Sequence, residues 1–272
     1  MAVLRCGLVG AGIGASLSPA LHEVEARHHG LDLSYTLFDV DRLGQVLDEA
    51  ERDGFAGLNV THPFKQQVIE QLDHLSPQAR AIGAVNTVVF RDGERHGHNT
   101  DAYGFTEAFR ATLPDAATGH VVQLGAGGAG AACAHSLLGL GVERLTIVDP
   151  DADRRAELAG RLGAAHVATA TPGLLASADG LVNASPIGMH HHPGLPLPAE
   201  LLHRRLWVVD IVYMPLVTEL LRAARAAGAR AVGGTAMCAY QAAAAFQLFT
   251  GLTPDTARML DHLDVILAGL SV

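Results

Sequence analysis

The chain has 272 residues, enough for one large domain or two modest ones with a sizeable core. Hydrophobic residues make up 49% and charged residues 17%, which excludes a disordered chain. A formal net charge of −9 gives nucleic acid and anionic membranes no electrostatic footprint. Three distant cysteines, Cys6, Cys133 and Cys238, read as buried thiols of a reducing, cytoplasmic compartment.

Residues 4–9 predict a buried strand that opens into a glycine loop over 10–14 rather than a signal peptide. Ser18-Pro19 predicts a helix start, since serine caps well and proline suits the first helical position. Strands at 33–40 and 55–60 flank an amphipathic helix near 41–52, and Pro63 is expected to open the next helix. Asp92-Gly93, between two extended runs, marks a hairpin within 84–101. This alternation favours a mostly parallel α/β sheet.

A second series follows: strand 120–126, helix 128–140, strand 144–149, helix 151–162, then strands 166–170, 180–185 and 206–212. That rhythm describes a doubly wound, Rossmann-like sheet. Two helices close the chain. One covers about 235–249; the other is expected to be capped by Thr253-Pro254 and to bury Ala257, Leu260, Leu263 and Leu267. The uncharged runs 116–142 and 231–254 carry glycine turns, which fits buried strand–turn–helix units rather than membrane spans.

The sharpest motif is Gly125-Ala126-Gly127-Gly128-Ala129-Gly130, between an apolar strand and an alanine-rich helix. Such a loop brings a pyrophosphate to a helix N-terminus. Asp149 closes the next strand nineteen residues beyond Gly130, where an acid pairs with an adenosine ribose and repels a 2′-phosphate. NAD is therefore expected over NADP. Arg154 could stack on the adenine or pair with Asp149, or stand with Arg155 as a solvated helix residue. Gly10–Gly14 fits the same loose glycine pattern, but Ser16, Ser18 and Pro19 interrupt it. It reads as a substrate loop with two hydroxyls.

Among eighteen arginines there is one lysine, Lys65, in the segment Asn59–Lys65 at a strand end. Arginine does not give up its proton, whereas a confined lysine can serve as base and acid. Asp101 is a plausible ammonium partner, or alternatively a cap for a helix over 102–108. His62 competes as the acid–base group. His190, His191 and His192 are consecutive in a loop with no adjacent acid, so no metal is expected.

Several segments together resemble the shikimate/quinate dehydrogenases: SLSP with His22, NVTHPFK, AVNT, NTD, the glycine loop, NASPIGM, DIVYMP and GTAMCAYQAAAAF. They run nearly end to end in the family's order. The loop GAGIGASLSP and the strand end Val-Asp-Pro are most like the NAD-dependent quinate/shikimate branch. The resemblance implies a substrate domain from 1–100 plus 238–272 and a Rossmann NAD-binding domain from 101–237. Lys65 and Asp101 would form the acid–base pair. Ser16, Ser18, Thr61, Asn86, Tyr213 and Gln241 would hold a hydroxylated cyclohexane or cyclohexene carboxylate. Gly125–Ala129, Asp149 and Arg154 would take the adenosine half of the cofactor, and Ser185, Ile211 and Gly234 would lie around the nicotinamide.

The expected protein is a monomer or homodimer without nucleic-acid or membrane partners. The alternatives carried are a biosynthetic NADP-dependent shikimate dehydrogenase, an aminoshikimate or related dehydrogenase, a non-catalytic NAD(H)-binding sensor and a His-based metal-dependent hydrolase.

Overall fold

Leu4–Gly10 (β1) is apolar enough to be buried along its last five positions, and its neighbours pair on both sides of it. Leu33–Asp39 (β2) and Phe55–Val60 (β3) flank it in parallel. Ser18–His28 (α1) and Val46–Arg52 (α2) make the crossovers. His74–Leu75 (β4), Pro77–Ile82 (α3), Thr87–Arg91 (β5) and Glu94–His98 (β6) complete a six-stranded sheet of order β2-β1-β3-β5-β6-β4. The β5–β6 hairpin turns at Asp92-Gly93, both at positive φ, as two-residue hairpin loops require. It enters antiparallel to β3, so the sheet keeps parallel pairing at β1–β2, β1–β3 and β4–β6, as expected, and is antiparallel only around β5.

The computed structural model describes residues 3–270, which divide into two compact units, one holding the residues up to 104 together with those from 239 onward and the other residues 105–238. Asp101–Thr112 (α4) leads into the second unit. There follow His120–Leu124 (β7), Gly128–Gly139 (α5), Arg144–Val148 (β8), Ala152–Leu162 (α6), Ala165–Val167 (β9), Pro172–Ala176 (α7) and Gly180–Asn183 (β10). Trp207–Asp210 (β11), Glu219–Ala226 (α8) and Arg230–Val232 (β12) finish it. The order β12-β11-β10-β7-β8-β9, parallel throughout, is that of a doubly wound sheet. Thr235–Thr250 (α9) and Thr256–Leu270 (α10) return the chain to the first unit.

Each sheet has a topological switch point, and it decides where loops gather. In the first sheet β1 connects to β2 on one side while β3 lies on the other; in the second, β7 separates β8 from β10. Loops leaving the carboxyl ends of such strand pairs line a binding crevice in open α/β sheets. Those loops are 11–17 and 61–66 in one unit, and 125–127 and 184–189 in the other.

The first unit buries Val9, Leu47, Leu58, Phe64 and Val88 in one cluster and Cys6, Leu8, Tyr35, Phe246 and Phe249 in another. Glu25 of α1 fastens α10. Its buried carboxylate takes both Arg258 Nε (2.9 Å) and Nη2 (2.7 Å), the Asp255 amide and His29. Burial pushes this carboxyl up, but the Arg258 and Asp255 hydrogen bonds outweigh it and hold it below its ordinary range. Val122, Leu181, Val208 and Leu220 centre the second core. Among the described residues no helix is long and apolar enough to cross a membrane.

Four local expectations are corrected. Ser18 does not cap α1 through its side chain; Leu17 is the N-cap, and Ser18 N–H donates to Ser16 Oγ. The helix near 41–52 starts only at Val46. Pro63 opens no α-helix: the Lys65 carbonyl accepts the Val85 amide instead of a helical one, and a short 3-10 turn follows at Gln67–Gln71. The last helix begins after Asp255, whose carboxylate accepts the Arg258 amide, and buries Met259, Leu263 and Leu267; Ala257 is exposed and Leu260 half-buried.

Candidate active site

Lys65 and Asp101 come together in the first unit. Lys65 Nζ donates to Asp101 Oδ2 at 2.6 Å, with the two side chains only 15% and 8% exposed. Removing two charges from water is costly, so such a pair persists only with further hydrogen bonds around it. They are present. Asn86 Nδ2 donates to Asp101 Oδ1 at 3.0 Å and to Thr100 Oγ1 at 2.8 Å. Asn86 Oδ1 accepts the Thr100 amide and the Thr87 hydroxyl. Gln241 Oε1, from α9, stands 3.5 Å from both Asn86 Nδ2 and Thr100 Oγ1.

Asp101 is not the helix cap. Asn99 Oδ1 accepts the Ala102 amide, which leaves the Asp101 carboxylate to Lys65 and Asn86. Behind Asn86, Asn59 Nδ2 donates to its carbonyl and to Thr87 Oγ1, while Tyr35 OH donates to Asn59 Oδ1 at 2.6 Å. Sequence reading missed Tyr35, Asn59, Thr87 and Thr100 as supports. Their signal is polar residues at buried strand positions, a pattern that appears only once burial is known.

The first glycine loop is tied to the Lys65 turn. Ala11 N–H donates to the His62 carbonyl, and Gly12 N–H to Asp39 Oδ1 at 2.7 Å. Ser16 Oγ donates to Ser18 Oγ at 3.2 Å, both half-buried. Thr61 follows β3 at the same carboxyl edge. The first unit thus brings Ser16, Ser18, Thr61 and Lys65 to two bonded loops, and joins Lys65, Asn86, Asp101 and Gln241 in one network. Tyr213 lies in the second unit, half-buried after β11.

His22 is 1% exposed and stacks on Tyr35 at 4.7 Å, and neither ring nitrogen has a hydrogen-bond partner. Burial pushes its pKa down to about 3 from 6.5, so it stays neutral and does no proton transfer near neutral pH. Between those values only the unfolded chain takes the proton, so this stability is complete above pH 6.5 and drains as pH falls toward 3. Unfolding free energies of the wild type are expected to drop about 2–3 kcal/mol more than those of His22→Phe between pH 7 and 4.5. Equal drops in urea titrations would count against His22 as the source.

In the second unit, Gly125 has φ +98°, and a Cβ there would meet the Ala184 carbonyl oxygen at 2.6 Å. Only glycine fits. Gly127 is the N-cap of α5, with no side chain bonded there, so the first amides of this twelve-residue helix are left without a side-chain cap, as an anion site requires. Asp149 follows β8, 8% exposed. Its Oδ2 accepts the Ala126 amide at 2.8 Å and its Oδ1 the Asp151 amide at 2.9 Å. Each oxygen keeps a second acceptor site. Glycine loop, open helix end and carboxylate fit a dinucleotide. Arg154 pairs with Asp151, not Asp149, and its side chain is exposed; Arg155 donates to the Asp149 and Pro150 carbonyls.

Ser185 Oγ donates to Asn183 Oδ1 at 2.6 Å and so braces its own turn. Asn183 Nδ2 reaches the Ile187 carbonyl and Asp210 Oδ1. Asp210, fully buried, also accepts from Thr218 Oγ1 and the Val212 amide. Burial pushes its carboxyl above the ordinary range, against the Thr218, Val212 and Asn183 hydrogen bonds. Sequence reading did not single out Asp210. Gly234 lies where a Cβ would meet the Ile211 carbonyl at 2.2 Å, so these two predicted positions touch. His190, His191 and His192 are exposed in the loop after β10.

Residues 8–88 match the family model described as the shikimate dehydrogenase substrate binding domain, and residues 234–263 the shikimate 5′-dehydrogenase C-terminal domain. A shikimate dehydrogenase (NADP(+)) of Streptomyces avermitilis is 57% identical, covering 93% of this chain and 92% of its own. A quinate/shikimate dehydrogenase (NAD(+)) of Corynebacterium efficiens is 46% identical, covering 93% of this chain and 95% of its own. The structure of quinate dehydrogenase from Corynebacterium glutamicum in complex with NAD superposes with a TM-score of 0.87 at 42% identity, over 97% and 99% of the two chains. The chain belongs to the shikimate/quinate dehydrogenase family, oxidoreductases acting on CH–OH groups.

Proposed function

We propose that the protein interconverts quinate or shikimate and the corresponding 3-dehydro acid, with NAD as the hydride carrier and Lys65/Asp101 as the acid–base pair. The observation that carries this reading is the buried Lys65–Asp101 contact at 2.6 Å, locked by Asn86. Nicotinamide supplies the hydride acceptor or donor when bound. Lys65 Nζ takes the proton of the substrate hydroxyl and returns it in the reverse direction. Asp101 aims the amine, and Asn86 fixes Asp101 by holding its second oxygen. Ser16, Ser18, Thr61, Tyr213 and Gln241 are assigned to the substrate's hydroxyls and carboxylate. The first unit takes the substrate and the second the dinucleotide, with Gly125–Ala129, Asp149 and Arg154 toward the adenosine half and Ser185, Ile211 and Gly234 toward the nicotinamide. Three buried cysteines, far apart in the sequence, support a cytoplasmic setting.

NADP is the second reading. The NADP(+) in the name of the Streptomyces avermitilis relative favours it, as does Arg155 beside Asp149. An assay matrix of quinate and shikimate, each with NAD and NADP, tests the proposal. Absence of any substrate-dependent NADH or NADPH absorbance would overturn it in favour of a non-catalytic sensor.

Gln241→Ala is expected to raise KM for the hydroxy acid by roughly tenfold to a hundredfold while KM for NAD stays within about twofold. Asn86→Ala should lower kcat as well, because Asp101 loses a hydrogen bond. The opposite pattern, with KM for NAD rising alone, would show that these residues do not serve the substrate.

A further inference from the structure

We propose that His74, Glu94 and His96 form a binding site for one divalent cation of the zinc, nickel or copper class, on the hairpin edge of the first sheet. His74 and His96 are register partners on the parallel pair β4–β6. Glu94 precedes His96 by two residues, so all three side chains leave the same face. They converge on one point. Glu94 Oε2 lies 3.0 Å from His74 Nε2 and 3.7 Å from His96 Nε2, and the two imidazoles stack at 4.8 Å. All three ligand atoms lie within 4.8 Å of one another. Ligands held about 2.0–2.2 Å from a tetrahedral zinc sit roughly 3.3 Å apart, so closing on an ion asks for small side-chain shifts only.

The backbone is set for it. Asp73 N–H donates to the Arg95 carbonyl, Arg95 N–H to Asp73 Oδ2 at 2.8 Å, and Ser76 N–H to the Gly97 carbonyl. These bonds fix the register that places the two histidines side by side. Arg95 turns its guanidinium to Asp48 and Glu51, which leaves Glu94 to the imidazoles. Two imidazole nitrogens and one carboxylate suit zinc, nickel or copper and disfavour magnesium or calcium. His74 and Glu94 are exposed, so water can complete the coordination.

The site is separate from the acid–base pair. Glu94 precedes Asp101 by seven residues of mostly extended chain, roughly 20 Å at strand rise. Its role is a clip that holds the two-residue strand β4 against β6, and the dehydrogenase chemistry does not pass through it.

Isothermal titration of the untagged full chain with zinc chloride tests this, alongside His74→Ala, Glu94→Gln and a triple His190→Ala, His191→Ala, His192→Ala variant. The expected result is one ion per chain. Its affinity should fall at least about tenfold in His74→Ala and Glu94→Gln and stay unchanged in the triple variant. At tenfold excess over Kd, zinc should raise Tm of the wild type and the triple variant by roughly 3 °C or more, and do so in neither ligand variant. Affinity retained in both ligand variants, or lost in the triple variant, would overturn the assignment.

Discussion

Lys65→Ala and Lys65→Arg should both lose roughly two to four orders of magnitude in kcat while binding NAD nearly as well as the wild type. The arginine variant is the discriminating one. It keeps a cation beside Asp101, so any role resting on charge alone would survive it, but its guanidinium does not release a proton at working pH. Guanidinium also prefers a bidentate grip on a carboxylate, which would compete with the Asn86 Nδ2 bond to Asp101 Oδ1 at 3.0 Å. Stopped-flow or steady-state turnover, paired with fluorescence titration of NADH, separates the two effects. Near wild-type kcat in Lys65→Arg would sink the acid–base role and move suspicion to His62, which is exposed in the same turn.

What the sequence made legible was whatever local pattern controls. The strand Phe55–Val60 and the hairpin turn at Asp92-Gly93 follow from short-range signals and are found where expected. Helix caps are less legible than helix starts. Ser18-Pro19 and Thr253-Pro254 look like caps, yet Ser16 and Asp255 take the amides concerned, because a cap depends on where the chain turns in from. Lys65 stood out by composition, as the one lysine beside eighteen arginines. Its network did not: Asn86 and Gln241 are 155 positions apart, and only the return of α9 to the first unit joins them.

The two glycine loops show the limit of motif reading. In both, an aspartate at the end of the next strand accepts an amide of the loop: Asp39 from Gly12 and Asp149 from Ala126. Glycines followed by an acid therefore describe a way of bracing a strand-to-helix turn. What separates the loops is the segment that follows. Gly127 leads straight into the uncapped end of α5, whereas Ser16 bonds Ser18, the first residue of α1.

That bracing role shapes the expected cofactor preference. The unmodified protein should use NAD with kcat/KM at least about tenfold above NADP. A carboxylate within reach of the adenosine ribose accepts its hydroxyls, while a 2′-phosphate brings like charge to the same place. At about 4 Å in a partly screened site that repulsion is on the order of a few kcal/mol, or roughly a hundredfold in affinity. Arg155 at the Asp149 carbonyl, and Arg154 on the exposed face of α6, offset part of it, which is why the expected ratio is set lower. Asp149→Asn is the informative substitution. It removes the charge but keeps one oxygen to accept the Ala126 or Asp151 amide, so the loop keeps most of its bracing. The NAD/NADP ratio should then shrink mainly through better NADP use, with KM for the hydroxy acid unchanged. Relatives above 45% identity carry both cofactors in their names, so the comparison is a real contest. Equal or better use of NADP by the unmodified chain would overturn the role given to Asp149 and make the NADP-dependent reading the stronger one.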